Sequence, residues 1–290
     1  MSFLLAIEMG AYYHILFCTA HYCLNLAPPI ERNQTIISQT TSSDIVGYQN
    51  IAINPGFNMI AFNFQPLDGT ENISIQDFVQ NKDALVAGAA PATADQIQVW
   101  DGSKFSIYFY RAYKATNPNK FTLGPAWVNI DSLGTPTTDT VQRGFGVWFA
   151  RPTEQPATNI TVSGSINAAP KTHDIAAGFN MISSAFPTAI ALNNGPIDWV
   201  ECGAVAGAAP ATADQIQVWD GSKFSIYFYR AYKATNPNKF TAGPAWVNID
   251  ALGTPTTDTI PAGKGFWYAR PSTSSAGPLV ETSPLATPAE

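Results

Sequence analysis

The side chains that could carry catalysis are few and lie apart from the best-defined motifs of this chain. Only three histidines are present: His14, His21 and His173. A serine or cysteine nucleophile needs a general base beside it, most often a histidine. None of the three lies in the long repeated block described below. The sequence therefore predicts no enzyme activity, no catalytic residues and no cofactor.

A metal centre is not predicted either. Cys18, His21 and Cys23 are close in sequence, but their spacing fits no zinc pattern and a fourth ligand is missing. Asp95 and Asp139 recur in both copies of the repeated block, and a glycosidase would need two carboxylates about 5–10 Å apart. Both precede predicted strands, where aspartates commonly cap turns. We favour that structural role, with calcium at a loop carboxylate cluster as the alternative.

Aromatic side chains are the stronger functional signal, because several tryptophans and tyrosines of the first copy recur at the same positions in the second. Such rings could stack on sugars, fill a core, bury against the sister copy, or form a subunit interface. The candidates are Trp100, Tyr108, Tyr110, Tyr113 and Trp127, repeated as Trp219, Tyr227, Tyr229, Tyr232 and Trp246.

An internal repeat organises the chain. Residues 86–152 align without gaps to residues 205–271 at an offset of 119, and eight of the 67 positions differ. Upstream, Gly56–Ile60 matches Gly178–Ile182 at an offset of 122. Since three residues are lost between these anchors, the copies differ by a loop length. The unit is about 120 residues long, which is an ordinary domain size.

Residue usage and alternation indicate strands. The chain has 27 Thr against 13 Leu and only seven Glu, the reverse of what helical proteins prefer. Residues 96–100 and 105–113 predict two strands around an Asp-Gly turn. If the register follows the Phe105–Ile107 face, Val99 lies opposite Phe105, which requires a loop of three or five residues.

We therefore predict an all-β protein with two tandem antiparallel β-sandwich or barrel-like domains and strand-like extensions at both ends. The predicted divisions are an apolar N-terminal extension over 1–31, domain 1 over 32–153, domain 2 over 154–272, and a C-terminal tail over 273–290.

Both extensions have a predicted role. Residues 1–31 are apolar and either resemble a secretory signal or form a retained segment that packs on something, although no Lys or Arg precedes the apolar core. Residues 278–282 form a candidate strand, at the place that residues 159–162 occupy after the first copy. A strand without its own domain can complete a sheet edge of its own chain or of a neighbour. The candidate donor residues are Leu279, Val280 and Thr282.

The chain has three cysteines, so at least one thiol has no disulfide partner within the chain. Cys202 has no cysteine counterpart in the first copy, where Asp83 stands. Outside the cytosol, Cys18 or Cys23 could form a disulfide with Cys202 of the same or another chain. Buried, unbonded thiols are the alternative.

Composition excludes several classes of function. Fifteen Lys and Arg against 21 Asp and Glu argue against a nucleic-acid binder. A hydrophobic share of 46% argues against disorder. The sequence contains no clean apolar run of 18 residues, so no conventional membrane span is predicted.

Three motifs carry a resemblance over residues 32–272: Gly-Phe-Asn-Met-Ile, Asp-Gln-Ile-Gln-Val-Trp-Asp-Gly and Gly-Lys-Gly-Phe-Trp-Tyr-Ala-Arg-Pro. They resemble a repeat of secreted bacterial proteins with no assigned activity. The resemblance implies a β architecture and a location outside the cell.

The low charge, tandem copies and strand-like ends favour a self-assembling structural protein at the cell surface or outside the cell. We expect a filament or surface appendage, a homopolymer built by strand addition between subunits. The alternative is an adhesin that binds cell-surface carbohydrate through the repeated aromatic face.

Overall fold

The structure, a computed structural model, describes residues 4–9, 12–17, 45–112, 124–231 and 244–286. It is all-β, as predicted: the named strands pair antiparallel, and the described helical segments are three short 3₁₀ turns. The chain divides into two compact units, residues 1–42 and residues 43–290. The further prediction of two separate domains stays a prediction.

The N-terminal unit contains a β-hairpin. Strand β1 (Leu4–Met9) pairs with β2 (Tyr12–Phe17), with Leu4 opposite Phe17. No helix in the described ranges is long and apolar enough to cross a membrane.

The larger unit contains both repeats. The strands of the first repeat are β3 (Ile45–Ile53), β4 (Gly56–Ala61), β5 (Asn72–Ser74), β6 (Gln96–Trp100), β7 (Phe105–Arg111), β8 (Ala126–Asn129), β9 (Thr140–Gln142), β10 (Gly146–Arg151) and β11 (Thr158–Ile166), with 3₁₀ turns at Lys82–Ala84 and Pro91–Thr93. The strands of the second are β12 (Lys171–Ile175), β13 (Gly178–Ser183), β14 (Ile190–Ala191), β15 (Gln215–Trp219), β16 (Phe224–Arg230), β17 (Ala245–Asn248), β18 (Thr259–Ile260), β19 (Gly265–Arg270) and β20 (Gly277–Glu281), with a 3₁₀ turn at Pro210–Thr212.

Each repeat is built on a five-stranded sheet, in the order β4-β10-β6-β7-β8 and β13-β19-β15-β16-β17. A two-stranded sheet accompanies it, β3 with β11 in the first repeat and β12 with β20 in the second. Strand β11 follows the predicted boundary at residue 153, yet it pairs with β3 of the first repeat. The C-terminal β20 takes the same place in the second.

The core of each repeat lies on one face of its five-stranded sheet. In the first repeat Ile97, Phe149 and Trp127 are fully buried and pack with Ile53 and Ile160 of the two-stranded sheet. Apolar residues on alternate positions of both sheets therefore meet, as expected for strands with one face turned inward.

The hairpin of β6 and β7 corrects one prediction. Its loop has four residues, 101–104, so Val99 lies opposite Ser106 and Ile97 opposite Tyr108. Asp101 sets this length, because its Oδ1 accepts the backbone N–H groups of Ser103 and Lys104 at 2.8 Å. The expected three- or five-residue loop was wrong, since the tyrosine face of β7, not the phenylalanine face, enters the core beside Ile97.

The two repeats meet along β4 and β10 of the first and β13 and β19 of the second. The Cα atoms of Gly146 and Gly265 approach so closely that a Cβ on Gly146 would lie 2.7 Å from the carbonyl oxygen of Ile182. A Cβ on Gly265 would lie 2.8 Å from the carbonyl oxygen of Ile60. Only glycine permits this separation of the two backbones.

Candidate functional site

The repeated aromatic residues do not form an exposed stacking face. Six of them are almost completely buried and belong to the two cores. They are Tyr108, Tyr110, Trp127, Tyr227, Tyr229 and Trp246. A sugar ring cannot stack on a side chain that the protein covers, so the prediction of a glycan-stacking face at these residues is corrected. Tyr113 and Tyr232 lie outside the described residues.

Trp100 and Trp219 are half-buried where the two repeats meet. The Nε1 group of Trp100 donates to the carbonyl oxygen of Phe179 at 3.0 Å, and that of Trp219 donates to the carbonyl oxygen of Phe57 at 2.9 Å. The two contacts are equivalent, with the repeats exchanged. The repeats therefore meet through the same surface, in a closed pairing rather than head to tail.

These contacts also cover the outer edges of two strands. Along β4, the Phe57 carbonyl accepts the Trp219 indole and the Ala61 N–H donates to the carbonyl of Gly263 at 3.0 Å. Along β13, the Ser183 N–H donates to Gly144 in the same way at 2.8 Å. Each repeat thus closes one edge of the other's five-stranded sheet.

A cluster of charged side chains joins the repeats beside this junction. Glu71 accepts two hydrogen bonds from Arg143, at 3.0 and 3.1 Å, and one from Lys171 at 2.8 Å. Partial burial would raise the pKa of Glu71, but the hydrogen bonds from the two cations outweigh it and hold this pKa below its ordinary value. The cluster ties a loop of the first repeat to strand β12 of the second.

Glu281 is fully buried at the end of β20. Its carboxylate accepts hydrogen bonds from the Ser184 hydroxyl at 2.5 Å and the Ala185 N–H at 2.8 Å, and His173 Nε2 lies 3.6 Å away. A Ser-His site needs the serine bonded to the histidine and open to substrate. Here the serine bonds the carboxylate and all three side chains are buried, so this set acts as a structural network.

Each repeat also contains a fully buried aspartate, Asp95 in the first and Asp214 in the second. Asp95 accepts Arg151 Nη1 at 2.9 Å and the Val86 N–H at 2.8 Å. In the second repeat Asp214 pairs with Arg270 at 3.2 Å. Burial raises the pKa of Asp95 to about 6, against the opposing effects of the Val86 N–H and the Arg151 charge. Since neither carboxylate is exposed, neither can act on a sugar in this fold.

The predicted donor segment is paired within this chain. Leu279 and Val280 lie in β20, opposite His173 and Thr172 of β12. The Thr282 N–H donates to the carbonyl of Pro196 at 2.9 Å. This strand could have completed a sheet edge of its own chain or of a neighbouring chain. In the structure it pairs with β12 of its own chain.

Cys202 lies against the same strand. Its half-buried Sγ accepts the Val280 N–H at 3.2 Å. Its predicted disulfide partners, Cys18 and Cys23, lie outside the described residues, so the disulfide stays a prediction.

Side-chain amides cover the remaining edges of the five-stranded sheets. Gln76 pairs with the backbone of Trp127 in β8, its Nε2 donating at 2.6 Å and its Oε1 accepting at 3.2 Å. Asn193 does the same for Trp246 in β17, both at 3.0 Å. Sequence reasoning missed both residues, because an isolated amide gives no signal of the strand that it will meet.

One long strand edge stays uncovered. No described residue pairs with the outer edge of β3, whose nine residues contain neither charge nor proline. Val46 and Tyr48 on this strand are 60% and 74% exposed. The edge of β12 is likewise unpaired within the described ranges, but that strand has five residues, including Lys171 and Asp174. Charged, short edges resist added strands, whereas long neutral ones invite them.

Comparison with known proteins adds no relative: no family model, curated protein or solved structure matches this chain. The resemblance to secreted bacterial repeats therefore stays a prediction. In the described ranges, no group of three or more His, Cys, Asp or Glu side chains is placed to hold a metal ion.

Proposed function

We propose that this protein is a structural protein that self-associates outside the cell, building a filament or surface appendage by adding strands between subunits. The uncovered edge of β3 carries this proposal. Amides or the sister repeat cover the outer edges of both five-stranded sheets. Among the described strands that carry the two repeats, the edge of β3 is the long one that stays unpaired, neutral and rich in β-formers.

The acceptor edge needs a donor from another subunit. Of the two donor segments predicted from the sequence, β20 is already paired with β12, and we propose the N-terminal hairpin, β1 and β2, as the donor. Contact between a neighbour's hairpin and β3 joins two different surfaces. Such a contact propagates from subunit to subunit, whereas the contact between the two repeats closes on itself.

Two variants test the acceptor and the donor separately, by negative-stain electron microscopy and sedimentation. Tyr48→Lys places a charge on the β3 edge and should leave folded monomers. Deletion of residues 1–31 should do the same. Thr172→Lys, at another exposed position, on the β12 edge, is the matched control and should assemble like the wild type.

The outcomes separate the parts of the proposal. Assembly of Tyr48→Lys would exclude the β3 edge, and assembly of the truncated chain would exclude the N-terminal donor. A wild-type protein that stays monomeric at every concentration and salt condition would contradict the proposed function as a whole.

A further inference from the structure

Each repeat exposes a phenylalanine ring beside a tryptophan on the outer face of its five-stranded sheet, the face turned away from the core. In the first repeat these residues are Phe57 on β4 and Trp148 on β10, whose ring centroids lie 5.7 Å apart. Phe179 and Trp267 are their counterparts in the second repeat, with the same separation. Both phenylalanines are 51% exposed, and both tryptophans are half-buried. The two pairs form equivalent exposed surfaces, the aromatic platforms.

The sister repeat holds each platform in place. Trp148 makes edge-to-face contacts with Trp219 and Phe224 of the second repeat, at centroid distances of 5.9 and 6.3 Å. The carbonyl oxygen of Phe57 accepts the indole N–H of Trp219 at 2.9 Å. The second platform has the equivalent contacts with the first repeat. Rings that are already fixed lose little conformational freedom when a ligand covers them.

Polar groups flank the tryptophan of each platform. Gln98 on β6 lies directly opposite Trp148, and the side chains of opposed residues begin about 5 Å apart. Gln98 Nε2 donates to Gln96 Oε1 at 3.2 Å. Within the described ranges, neither Gln98 Oε1 nor Trp148 Nε1 has a protein partner, and neither atom is buried. The first platform therefore offers a ligand one acceptor and one donor beside its rings.

The platforms carry no charge of their own. On the outer faces of β4, β10, β6 and β7, the residues with accessible side chains are aromatic, aliphatic or glutamine. Electrostatic attraction therefore does not select the ligand. A nucleic acid or an acidic peptide finds no cation on these strands.

The two copies of the platform strand differ only on the core side. Val147 and Phe149 of β10 are replaced by Phe266 and Tyr268 in β19, whereas Trp148 recurs unchanged. The platform is thus the same in both repeats, although the core beneath it is packed with different residues.

We propose that the aromatic platforms bind a neutral polysaccharide of β-1,4-linked glucose. The hydroxyls of this sugar are equatorial, so each ring presents an apolar face of C–H groups that can stack on Phe57 and Trp148. Its hydroxyls both donate and accept, which matches Gln98 Oε1 and Trp148 Nε1. A polymer repeats one sugar as the chain repeats one platform, so the two sites can act together. Phe57 and Trp148 are not among the aromatic residues predicted from the sequence.

Two features favour a sugar over a polypeptide. An added peptide strand needs a free sheet edge, but the platforms lie on a sheet face, and the sister repeat closes the edges of β4 and β13. The exposed aromatic area is on the order of 100–200 Å² per platform. A standard protein interface covers about 800 Å² on each partner. The platforms are therefore too small to hold a second copy of the chain by themselves.

Calorimetric titration of the full chain with cellotetraose, a soluble β-1,4-linked glucan, tests the proposal. The wild type should bind two equivalents and Phe57→Ala one. The double variant Phe57→Ala with Phe179→Ala should bind at least tenfold more weakly than the wild type. Leu67→Ala is the matched control, because it removes another exposed apolar side chain of the first repeat, and it should bind like the wild type.

A second pair of changes leaves the rings in place. Gln98→Leu with Gln217→Leu keeps the bulk of both side chains but removes their amide oxygens. This variant should bind about three- to tenfold more weakly, the effect of one neutral hydrogen bond per site. Near-UV circular dichroism checks the fold of every variant. If the double phenylalanine variant unfolds, the glutamine pair decides, and unchanged binding there would overturn the proposal.

Other results would also overturn it. They are the absence of saturable binding by the wild type, binding that a folded double phenylalanine variant retains, and equally tight binding of the charged tetragalacturonate. A wild-type dimer that this variant loses would assign the rings to self-association instead. Tyr48→Lys should bind like the wild type, because β3 lies on the core side of the sheet, so failure of assembly and failure of sugar binding are distinguishable.

Discussion

The phenol of Tyr268 donates a hydrogen bond of 2.6 Å to Oδ2 of Asp214 in the core of the second repeat. Phe149 occupies the same position in the first repeat, at one of the few differences between the copies. There Oδ1 of Asp95 is buried without a hydrogen-bond partner among the described residues. The two nearly identical repeats therefore give the equivalent buried carboxylates different hydrogen-bond partners.

This difference predicts unequal effects of two exchanges on the free energy of unfolding. Tyr268→Phe should lower the free energy of unfolding by about 1.5–3 kcal/mol, because it removes a buried hydrogen bond to a charged group. Phe149→Tyr should not destabilise to that extent, since the new hydroxyl can bond Asp95. Urea unfolding of both variants measures the difference. Equal losses in the two variants would show that packing around the ring, not the hydrogen bond, dominates.

Asp95 predicts how stability depends on pH. Burial raises the pKa of Asp95 from 3.8 to about 6 in the folded protein, so the folded state keeps a proton that the unfolded chain has released. The stability from this group is fully present below pH 3.8 and is lost as pH rises through 6. The loss is about 3 kcal/mol at most, at 1.36 kcal/mol per unit.

Asp95→Asn removes this titration and is the comparison. The difference in unfolding free energy between wild type and variant, measured by urea titration from pH 3.5 to 7.5, should change across that window. A constant difference would contradict the raised pKa.

The closest contact between the repeats predicts a steric effect. Gly146→Ala and Gly265→Ala each place a Cβ within 2.8 Å of a carbonyl oxygen of the other repeat. Overpacking of this kind typically costs about 1–3 kcal/mol. Gly134→Ala and Gly253→Ala are the matched controls, because a Cβ there meets nothing within 4 Å. Thermal unfolding should separate the two pairs, and similar midpoints for all four variants would contradict the close approach.

The amide side chains at the sheet edges predict a change in both stability and association. Gln76→Ala or Asn193→Ala leaves the backbone N–H of Trp127 or Trp246 without its partner, while each carbonyl keeps a backbone donor, and this should cost about 1–3 kcal/mol. The freed edge should also increase aggregation on heating. Gln80→Ala is the control, since the side chain of Gln80 bonds only its own loop at 2.8 Å. Unchanged light scattering in the first two variants would argue against edge protection.

Local sequence patterns predicted much of the fold but not its finer pairing. Alternation and turn residues placed β6 and β7 close to where they lie. The hairpin register was predicted wrongly because both faces of β7 are covered. Tyr108 lies in the main core, and Phe109 on the other face packs against Val128, so the hydrophobic pattern alone selects neither face. Counting aromatic residues could not separate a core from a ligand face for the same reason.

The sequence by itself determined the all-β class, the duplication and the scarcity of catalytic side chains, since propensity, repetition and residue type are properties of the chain. Only the tertiary structure decided that Tyr110 is buried, that Trp100 reaches the sister repeat, and that β20 pairs within its own chain. It also left the edge of β3 unpaired among the described residues. These outcomes depend on which strands become neighbours. The backbone hydrogen bonds that pair distant strands are the same for all residue types except proline, so the residue types alone do not specify the pairing.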